Sequence, residues 1–400
     1  MVDYSKFFSE DTYAFVSSPA REIFKKVDIN KIYSLAGGYP SPDAFPLDAF
    51  KDTFSDVIDK YGARAFQYAG TQGVPELRQA ISDRFGIAVD NIQITTSSQQ
   101  GIDICARVFL DPGDVVLTSN PTYLGALQSF CSYRAEIVGV HRQSDPDEFR
   151  SAYTAKIEEV LGSGKKLKMM YIIPDFQNPS GETLSLEERR ILVELADKYD
   201  FLILEDCPYK ELRYEGEDVP SIYSIAPHRV IHLGSFSKIM CPGLRLGWMF
   251  GPEELLQRIY VCKQSLDLCP PVFDQYAAAE FLTSGRLDAS LERNKQMYKH
   301  KRDVMLEELE RNMPEGVTWT HPEGGMFLFL TLPETFSAVD FYDTALSAGV
   351  AYIAGNMFFT DFVSGASAGL NTMRLNFSFM TPERIREAVR ILAGLLREAL

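Results

Sequence analysis

From about Gln93 to Phe250 the chain alternates short apolar runs with helical patterns. This alternation is typical of a parallel sheet covered by helices, because parallel strands are joined by crossovers that are usually helical. Most of the runs are too short for helices and are bounded by Gly, Pro, Asn or Asp. The sequence therefore predicts an α/β fold with a mostly parallel sheet, whose strands include Val115–Thr118, Ile137–Val140, Lys168–Ile173, Phe201–Glu205, Val230–Leu233 and Leu246–Phe250.

One crossover helix is marked at its start by a capping box, Ser185-Leu-Glu-Glu188. The apolar positions that follow have the i, i+3, i+4, i+7 spacing of an amphipathic helix, and they are Leu192, Leu195, Ala196 and Tyr199. The pattern predicts a βαβ unit between the runs that end at Ile173 and begin at Phe201.

The length of 400 residues predicts about two domains, because single cores stop growing at roughly 250–300 residues. We expect an N-terminal segment over residues 1–50, a large domain over 51–290 and a smaller α+β domain over 291–400. The first segment cannot build a core alone, so we expect it to pack on the small domain and reach toward the cleft. The small domain is predicted from a long polar helix over Leu287–Asn312, strands at Met326–Leu332 and Met373–Phe377, a helix around Val339–Ala348, and a last helix opened by Thr381-Pro382-Glu383.

The charge balance argues against nucleic acid and anionic membranes as partners. Lys and Arg number 40 against 55 Asp and Glu, which gives a formal charge of -15 at pH 7. The six cysteines are scattered without a CxxC pair, as expected for buried thiols in a reducing compartment. The N-terminus shows no signal-peptide pattern, and no stretch of 18 apolar residues occurs. We therefore expect a cytoplasmic protein.

Known metal and nucleotide motifs do not explain the sequence. The five histidines form no HExxH motif, and they have no carboxylate at ligand spacing. The segment Gly162-Ser-Gly-Lys-Lys lacks the remaining residues of a P-loop, and no GxGxxG follows a strand. We therefore expect no metal site and no dinucleotide site.

Polar side chains follow three of the predicted strands directly, at the edge where α/β sheets bind ligands. Asn178 follows the run that ends at Ile173, Asp206 and Tyr209 follow Phe201–Leu204, and Ser235-Phe-Ser237-Lys238 follows Val230–Leu233. An amine beside two hydroxyls is explained if the hydroxyls of Ser235 and Ser237 hold a phosphate and Lys238 binds a carbonyl cofactor. Arg245 has the planar geometry that clamps a phosphate. The alternative is a solvated lysine with a surface arginine.

Over essentially the whole chain these residues resemble a known family. Its most specific pieces here are Asn178-Pro-Ser-Gly181, Glu205-Asp-Cys-Pro-Tyr209 and Ser235-Phe-Ser-Lys-Ile-Met-Cys-Pro-Gly-Leu-Arg245. They resemble the fold-type I pyridoxal phosphate (PLP) enzymes, specifically class I and II aminotransferases of the 2-aminoadipate and kynurenine aminotransferase branch. The resemblance implies the PLP-dependent transferase fold, which is aspartate aminotransferase-like, and pyridoxal phosphate as the cofactor.

The resemblance implies roles for the residues at the strand ends. Lys238 would hold the cofactor covalently and then move the α-proton of the substrate. Asp206 would pair with the pyridine nitrogen, and the alternative is a helix-capping or salt-bridged carboxylate. Asn178 and Tyr209 would hydrogen-bond the phenolic oxygen of the cofactor, and their alternatives are turn chemistry and a packed aromatic ring.

Further cofactor and substrate contacts come from the same resemblance. Ser98 and Gln99 would bind the phosphate at a helix N-terminus, together with Ser235, Ser237 and Arg245, although Ser98 also fits a plain helix cap. Tyr123 would stack on the cofactor ring. Gly38, Asn178, Arg374 and Arg21 would bind the substrate, with Arg374 clamping its α-carboxylate, and a solvent-facing arginine is the alternative. Tyr68, in Gln67-Tyr-Ala-Gly-Thr-Gln-Gly73, would reach the phosphate of a neighbouring subunit, which implies a homodimer.

The predicted activity is PLP-dependent transamination between an L-amino acid and a 2-oxo acid, by ping-pong half-reactions. The donor would be of the aromatic, branched or 2-aminoadipate type and the acceptor 2-oxoglutarate. One alternative is a β-lyase of the same fold, which would use the same Lys238 and Asp206. The other is a non-catalytic effector-sensing domain, although the charge of -15 is wrong for a DNA-binding regulator.

Overall fold

The computed structural model describes residues 2–9, 12, 32–365 and 368–400. The strands are β1 Tyr33–Ser34, β2 Ile92–Thr95, β3 Val115–Asn120, β4 Glu136–His141, β5 Leu167–Ile172, β6 Leu202–Asp206, β7 Val230–Ser235, β8 Gly247–Phe250, β9 Thr318–Trp319, β10 Phe327–Thr331, β11 Val350–Ala351, β12 Ile353–Ala354 and β13 Thr372–Asn376. The α-helices are α1 Leu47–Tyr61, α2 Pro75–Phe85, α3 Ser97–Phe109, α4 Leu124–Ser132, α5 Pro146–Gly162, α6 Leu186–Tyr199, α7 Ile222–Ile225, α8 Glu253–Gln264, α9 Val272–Thr283, α10 Arg286–Asn312, α11 Tyr342–Ser347 and α12 Pro382–Ala399. Short 3-10 helices lie at Ser5–Phe7, Pro42–Ala44, Gly62–Phe66, Val89–Asn91, Pro242–Leu244, Gly355–Phe358 and Thr360–Ser364.

The central sheet has seven strands in the order β2-β8-β7-β6-β5-β3-β4. Neighbours from β7 to β4 pair in parallel, so the predicted mostly parallel sheet is confirmed. The run Leu246–Phe250 departs from the parallel pattern, because β8 pairs antiparallel with both β2 and β7. The connection from β7 to β8 contains only the short 3-10 helix Pro242–Leu244, which leaves no crossover to turn β8 parallel.

Two apolar layers cover this sheet, because side chains alternate between its faces along each strand. On one face Leu204, Ile231 and Met249 share a core with α3, α4 and α8. On the other face Ile203, Val230 and Phe250 share a core with α5, α6 and α9. The molecule therefore has helix, sheet and helix layers here, and the strand ends are left to form a ligand site.

A second sheet of four strands has the order β12-β13-β10-β9 and is antiparallel. In its register Phe329 lies opposite Arg374. Its core includes Leu328 and Leu375 from the strands with Val389 and Leu392 from α12. Strand β1, from the N-terminal part of the chain, pairs in parallel with β11 beside it. The N-terminal part of the chain is thereby tied to this second sheet.

Helix starts follow the predicted capping residues. The Ser185 hydroxyl accepts from the Glu188 amide and the Glu188 carboxylate accepts from the Ser185 amide, so the capping box is confirmed. Thr381 caps α12, with Pro382 at its first position. Both signals work because they satisfy amide groups that a helix leaves without partners.

The six cysteines are free thiols, as their scattered positions predict, but only Cys105 and Cys207 are buried. The predicted burial is wrong for the other four, which are half-buried because they lie on parts of the chain that border solvent. No helix within the described residues has the length and apolar character needed to cross a bilayer.

Candidate active site

The strand ends of the central sheet surround a cavity of about 400 Å³. Strands β6 and β7 end at Asp206 and Ser235, and the loops after β2, β3 and β5 reach the same edge. The wall also includes Phe327 from β10 and Arg374 from β13, so the cavity lies between the two sheets. It brings together most of the predicted site residues: Gly38, Ser98, Gln99, Tyr123, Asn178, Asp206, Tyr209, Ser235, Ser237, Lys238, Arg245 and Arg374.

Asp206 presents one unpartnered carboxylate oxygen at this cavity. The residue is 1% exposed, and its Oδ2 accepts a hydrogen bond of 2.8 Å from the Tyr171 hydroxyl. Its Oδ1 is buried and accepts no hydrogen bond from the described residues. Burial raises the pKa of Asp206 to about 6, although the Tyr171 hydrogen bond opposes the shift. An unpaired buried carboxylate oxygen is costly, so this atom fits a cationic N–H donor.

Tyr171 is a functional neighbour that sequence reasoning missed. It stands in β5 opposite Leu204 of β6, so it lies on the same face of the sheet as Asp206, two residues further along β6. The apolar run around Tyr171 predicts only a strand. The contact of Tyr171 with Asp206 depends on the pairing of β5 with β6. The strand order of the folded sheet determines this partner, and a single sequence does not reveal the strand order.

Lys238 places its amine in the same cavity. Its Nζ donates to the carbonyl of Gly38 at 2.8 Å. Burial, together with the positive charges of Arg374 and Arg245, lowers the pKa of Lys238 to about 8. A lowered pKa leaves a sizeable neutral fraction near pH 8, which an amine needs to act as a nucleophile or base.

The end of β7 and the start of α3 form an anion site. The Ser235 hydroxyl accepts from the Ser237 amide at 3.2 Å, and Arg245 donates to the Ser97 hydroxyl at 2.9 Å. Ser98 and Gln99 lie in the first turn of α3, where free amide groups favour an anion. Ser97 has a φ of 61°, a left-handed conformation that glycine adopts more easily. Arg245 and these hydroxyls together supply the charge and donors that a phosphate needs.

Aromatic and amide groups complete the wall. Tyr123 donates to the Gln99 side chain at 3.1 Å. The Tyr209 ring meets the Phe327 ring edge-on at 5.9 Å, and burial raises the pKa of Tyr209. Asn178 accepts from Arg374 Nη1 at 2.8 Å. These side chains are held by contacts within the chain and face the cavity, so the predicted positions are brought together.

Arg374 is a buried guanidinium without a carboxylate partner. Its Nη2 donates to the Ala36 carbonyl at 2.7 Å, while its Nε is buried and unpartnered. The group lies over the rings of Phe327 and Phe358, at 4.3 and 4.9 Å from their centroids. Burial lowers the pKa of Arg374 to about 10. No carboxylate of the described residues lies within salt-bridge distance of it, so the site favours an incoming carboxylate.

Two predicted site residues are not brought to this cavity. Tyr68 is 79% exposed and lies in a surface depression with Arg64 and Tyr276. It does not line the cavity of its own chain, in keeping with the predicted contact to a neighbouring subunit. Arg21 lies outside the described residues.

Glu205, Cys207 and His232 form a cluster that the sequence did not predict. Side chains alternate along β6, so Glu205 points to the opposite face of the sheet from Asp206. Potential ligand atoms of the three residues lie within 4.8 Å of one another. The Glu205 carboxylate, however, already accepts from His232 Nδ1 at 2.8 Å and from the amides of Ile222 and Tyr223. These bonds satisfy the carboxylate, and the cluster is explained as a buried hydrogen-bonded pair beside a thiol.

The residues of the cavity fit pyridoxal phosphate. The unpartnered Oδ1 of Asp206 matches a pyridinium N–H, and the anion site at Ser235, Ser237 and Arg245 matches a phosphate. The amine of Lys238 lines the same cavity and matches a carbonyl. This fold and this site define a pyridoxal phosphate-dependent enzyme of the aspartate aminotransferase-like fold.

Comparison with known families places the chain more closely. The sequence model for aminotransferase class I and II matches residues 36–392. The aromatic-amino-acid aminotransferase 1 of Thermococcus litoralis is 41% identical over 404 residues, which cover 99% of this chain and 95% of the relative. The chain therefore belongs to the aminotransferase class I and II family.

Two solved structures share the whole fold. The kynurenine aminotransferase of Pyrococcus horikoshii, a complex with PMP, has a TM-score of 0.93 and 41% identity, covering 100% of this chain and 98% of that one. The alpha-aminoadipate aminotransferase of Thermus thermophilus, complexed with N-(5'-phosphopyridoxyl)-L-leucine, has a TM-score of 0.90 and 33% identity, covering 99% of each chain. The predicted fold, family branch and cofactor, pyridoxal phosphate, are confirmed, and the chain is an amino-acid transaminase.

Proposed function

We propose that this enzyme transfers the amine of an aromatic, branched or 2-aminoadipate-type L-amino acid to 2-oxoglutarate by two ping-pong half-reactions. The observation that carries the proposal is one cavity that holds the Lys238 amine, the free oxygen of Asp206 and the unneutralised guanidinium of Arg374. The similar proteins act on kynurenine, aminoadipate and aromatic amino acids by their names. Their range supports a donor with a large side chain.

Arg374 binds the α-carboxylate of both substrates in this proposal. Its contacts to Asn178 and Ala36 fix the plane of the guanidinium, so the carboxylate meets a preformed fork. The aromatic rings of Phe327 and Phe358 on either side keep water away from the pair. The substrate is thereby oriented with its α-carbon toward the Lys238 side of the cavity.

Lys238 carries the α-proton. Pyridoxal phosphate, when bound, supplies the carbonyl that accepts the amine and a ring that takes up electrons from the α-carbon. Lys238 Nζ then takes the proton as a general base and returns it as a general acid. The lowered pKa of about 8 places this amine close to the working pH that proton transfer in both directions requires.

The remaining wall residues hold and tune the cofactor. The Asp206 carboxylate would pair with the ring nitrogen and keep it protonated. Asn178 and Tyr209 would donate to the phenolic oxygen, and Tyr123 would pack on the ring. The phosphate would be held by Ser98, Gln99, Ser235, Ser237 and Arg245.

The working form in this proposal is a homodimer in the cytoplasm. Tyr68 and Phe66 are 79% and 68% exposed, an unusual state for two aromatic side chains in one short loop. A second copy that covers this loop removes the exposed aromatic surface, and a C₂ dimer does so in both subunits at once. Tyr68 then reaches the partner's phosphate.

The test is a half-reaction panel on the purified holoenzyme, one amino acid at a time and without acceptor. Ping-pong transfer predicts one 2-oxo acid per site, followed by recovery of the original absorbance when 2-oxoglutarate is added. Lys238→Ala is the control for non-enzymatic exchange. Ammonia with pyruvate from a sulfur amino acid would instead indicate a β-lyase. Product that forms only when donor and acceptor are both present would overturn the ping-pong order, and no reaction with any donor would favour an effector-sensing role.

A further inference from the structure

The amine of Lys301 is buried among neutral partners. The residue is 3% exposed, and its Nζ donates to the Ser41 hydroxyl at 2.9 Å and to the Ser378 carbonyl at 3.0 Å. No carboxylate of the described residues lies within salt-bridge distance of this amine, and the Asp43 carboxylate contacts it only through the Ser41 hydroxyl. Burial lowers the pKa of Lys301, although the negative charge of Asp43 opposes the shift. By contrast the equally buried Lys263 lies 2.7 Å from an Asp267 carboxylate oxygen. Burial of a cation without an ion pair costs free energy of folding. We therefore asked what the two hydrogen bonds of the Lys301 amine hold in place.

Lys301 belongs to one polar face of α10 that holds residues 36–44, hereafter the 36–44 segment. Asn294, Tyr298 and Lys301 are spaced by four and three residues, so they lie on the same side of the helix. The Asn294 side chain donates to the Ala44 carbonyl at 3.1 Å, and the Tyr298 hydroxyl accepts from the Ser41 amide at 3.0 Å. The face therefore fixes the end of the segment that lies away from the cavity.

The other end of the 36–44 segment contacts the proposed substrate site. The Ala36 carbonyl accepts from Arg374 and the Gly38 carbonyl accepts from Lys238. Gly38 also lies close to the Phe327 ring, because a Cβ there would lie 3.1 Å from that ring and would force it to shift slightly. A shift of this segment would move two carbonyls that bind the two cationic groups of the site.

Lys301 joins the segment to the strand that carries Arg374. Ser378 lies two residues beyond the end of β13, and its hydroxyl donates to the Tyr39 carbonyl at 2.8 Å. The Lys301 amine bonds the Ser378 carbonyl and the Ser41 hydroxyl at once. The Lys301 amine and the Ser378 hydroxyl thus both join the 36–44 segment to the chain after β13, and the amine also holds the Ser378 carbonyl in place.

We propose that Lys301 is a positioning residue for amino acid binding, which it supports by holding the 36–44 segment over the cavity. It touches neither cofactor nor substrate and acts through Gly38 and Arg374. The role in substrate binding rests on the proposed function, whereas the role in ordering the segment does not. The expected signature is weaker substrate binding at nearly unchanged cofactor affinity.

The test compares Lys301→Met with Lys299→Met, a control on the same helix. Lys299 is 42% exposed and pairs with Glu215 and Asp303 at the surface. In Lys301→Met we expect KM for the donor to rise about five- to twentyfold, the loss typical of one or two hydrogen bonds to a charged group, with kcat changed less than about threefold. Cofactor affinity should change less than about twofold. Lys299→Met should leave all three values near wild type.

Amide hydrogen exchange of the cofactor-free proteins gives a readout that is independent of activity. Peptides covering 36–44 should exchange faster in Lys301→Met than in wild type or Lys299→Met, while peptides from β5 and β6 stay unchanged. Should Lys301→Met fail to fold, Lys301→Gln keeps a polar side chain that is too short to bond Ser41 and Ser378 at once, and it should show the same changes at smaller size. Unchanged exchange, or a fall in kcat with unchanged KM, overturns the proposal. A wild-type enzyme without transaminase activity would overturn the proposed function but leave the exchange result decisive for Lys301.

Discussion

The floor of the cavity and the loop that carries Tyr68 differ in how far a single chain completes them. The floor, defined here as Asn178, Asp206, Tyr209 and Lys238, is set on strand ends and is fixed by contacts within the chain. The loop over residues 66–73 instead leaves Tyr68 79% exposed. Exposed aromatic side chains contribute little to the fold of one chain. The contrast shows that contacts within the chain fix the floor and leave Tyr68 exposed, and in the proposed dimer the loop completes the site of the partner subunit.

The largest expected effect comes from Lys238→Ala, which tests whether the floor alone carries the chemistry. We expect activity to fall by more than the roughly 10²–10⁴-fold typical of one acid–base group, because the covalent attachment is lost as well. Borohydride reduction of wild type should fix the cofactor on the peptide that contains Lys238. Lys210→Ala removes an amine bound to Asp218 outside the cavity and should remain active. Label on another lysine would contradict the assignment.

Asp206→Asn tests the negative charge in the floor, and we expect its effect on activity to be the next largest. An amide cannot stabilise a protonated ring by charge, so we expect half-reaction rates to fall by about 10²–10³-fold, with a smaller loss of cofactor affinity. Stopped-flow half-reactions and a cofactor titration measure the two effects separately. Asp218→Asn, at a residue whose side chain is 70% exposed, is the control. A rate above about a tenth of wild type would make Asp206 a structural carboxylate.

Arg374→Gln tests substrate binding at a residue outside the floor. Loss of hydrogen bonds to a charged carboxylate predicts a rise in KM of about ten- to a hundredfold for donor and acceptor alike. The Arg374 charge also lowers the pKa of Lys238, so the variant should shift the reactivity of that amine to higher pH. A pH titration of the Lys238 reaction checks the second effect. An unchanged KM together with an unshifted titration would show that Arg374 faces away from the substrate.

Tyr171→Phe is expected to give the smallest effect, which is a change in the pKa of Asp206. The Tyr171 hydroxyl favours the ionised form of Asp206, whose pKa is about 6, so its removal raises that pKa. In the cofactor-free protein we therefore expect the titration of the Asp206 carboxylate, followed by infrared or carbon NMR spectroscopy, to move up by roughly one pH unit. Rates of the holoenzyme at pH 8 should be nearly unchanged. A shift to lower pH, or none, would contradict the hydrogen bond.

Sequence patterns predicted the parts of the fold that local chemistry determines. The runs at Val115 and Val230 became β3 and β7, and the capping box at Ser185 starts its helix. The direction of β8 was not predicted, because an apolar run looks alike in parallel and antiparallel strands. For the site, the sequence predicted that Asp206 and Lys238 lie at the ligand edge of the sheet, because polar residues there end apolar runs, and both line the cavity.

Contacts between distant parts of the chain were beyond the sequence. Tyr171 meets Asp206 only through the pairing of β5 with β6, and Lys301 meets Ser41 across 260 positions. The residues next to Tyr171 and Lys301 in the sequence do not indicate which distant residue each side chain contacts. Residue roles that rest on the family resemblance stay predictions until the variants above are measured.

Hybrid dimers test the central claim, a floor from one chain completed by Tyr68 of another, most directly. Tyr68→Ala and Lys238→Ala subunits are refolded together, after each parent has been shown to be nearly inactive. Half of the dimers should be hybrids, and each hybrid should hold one site with both residues intact. The account predicts recovery approaching about a quarter of wild-type activity. No recovery despite demonstrated hybrids would contradict it, since Tyr68 would then serve its own subunit.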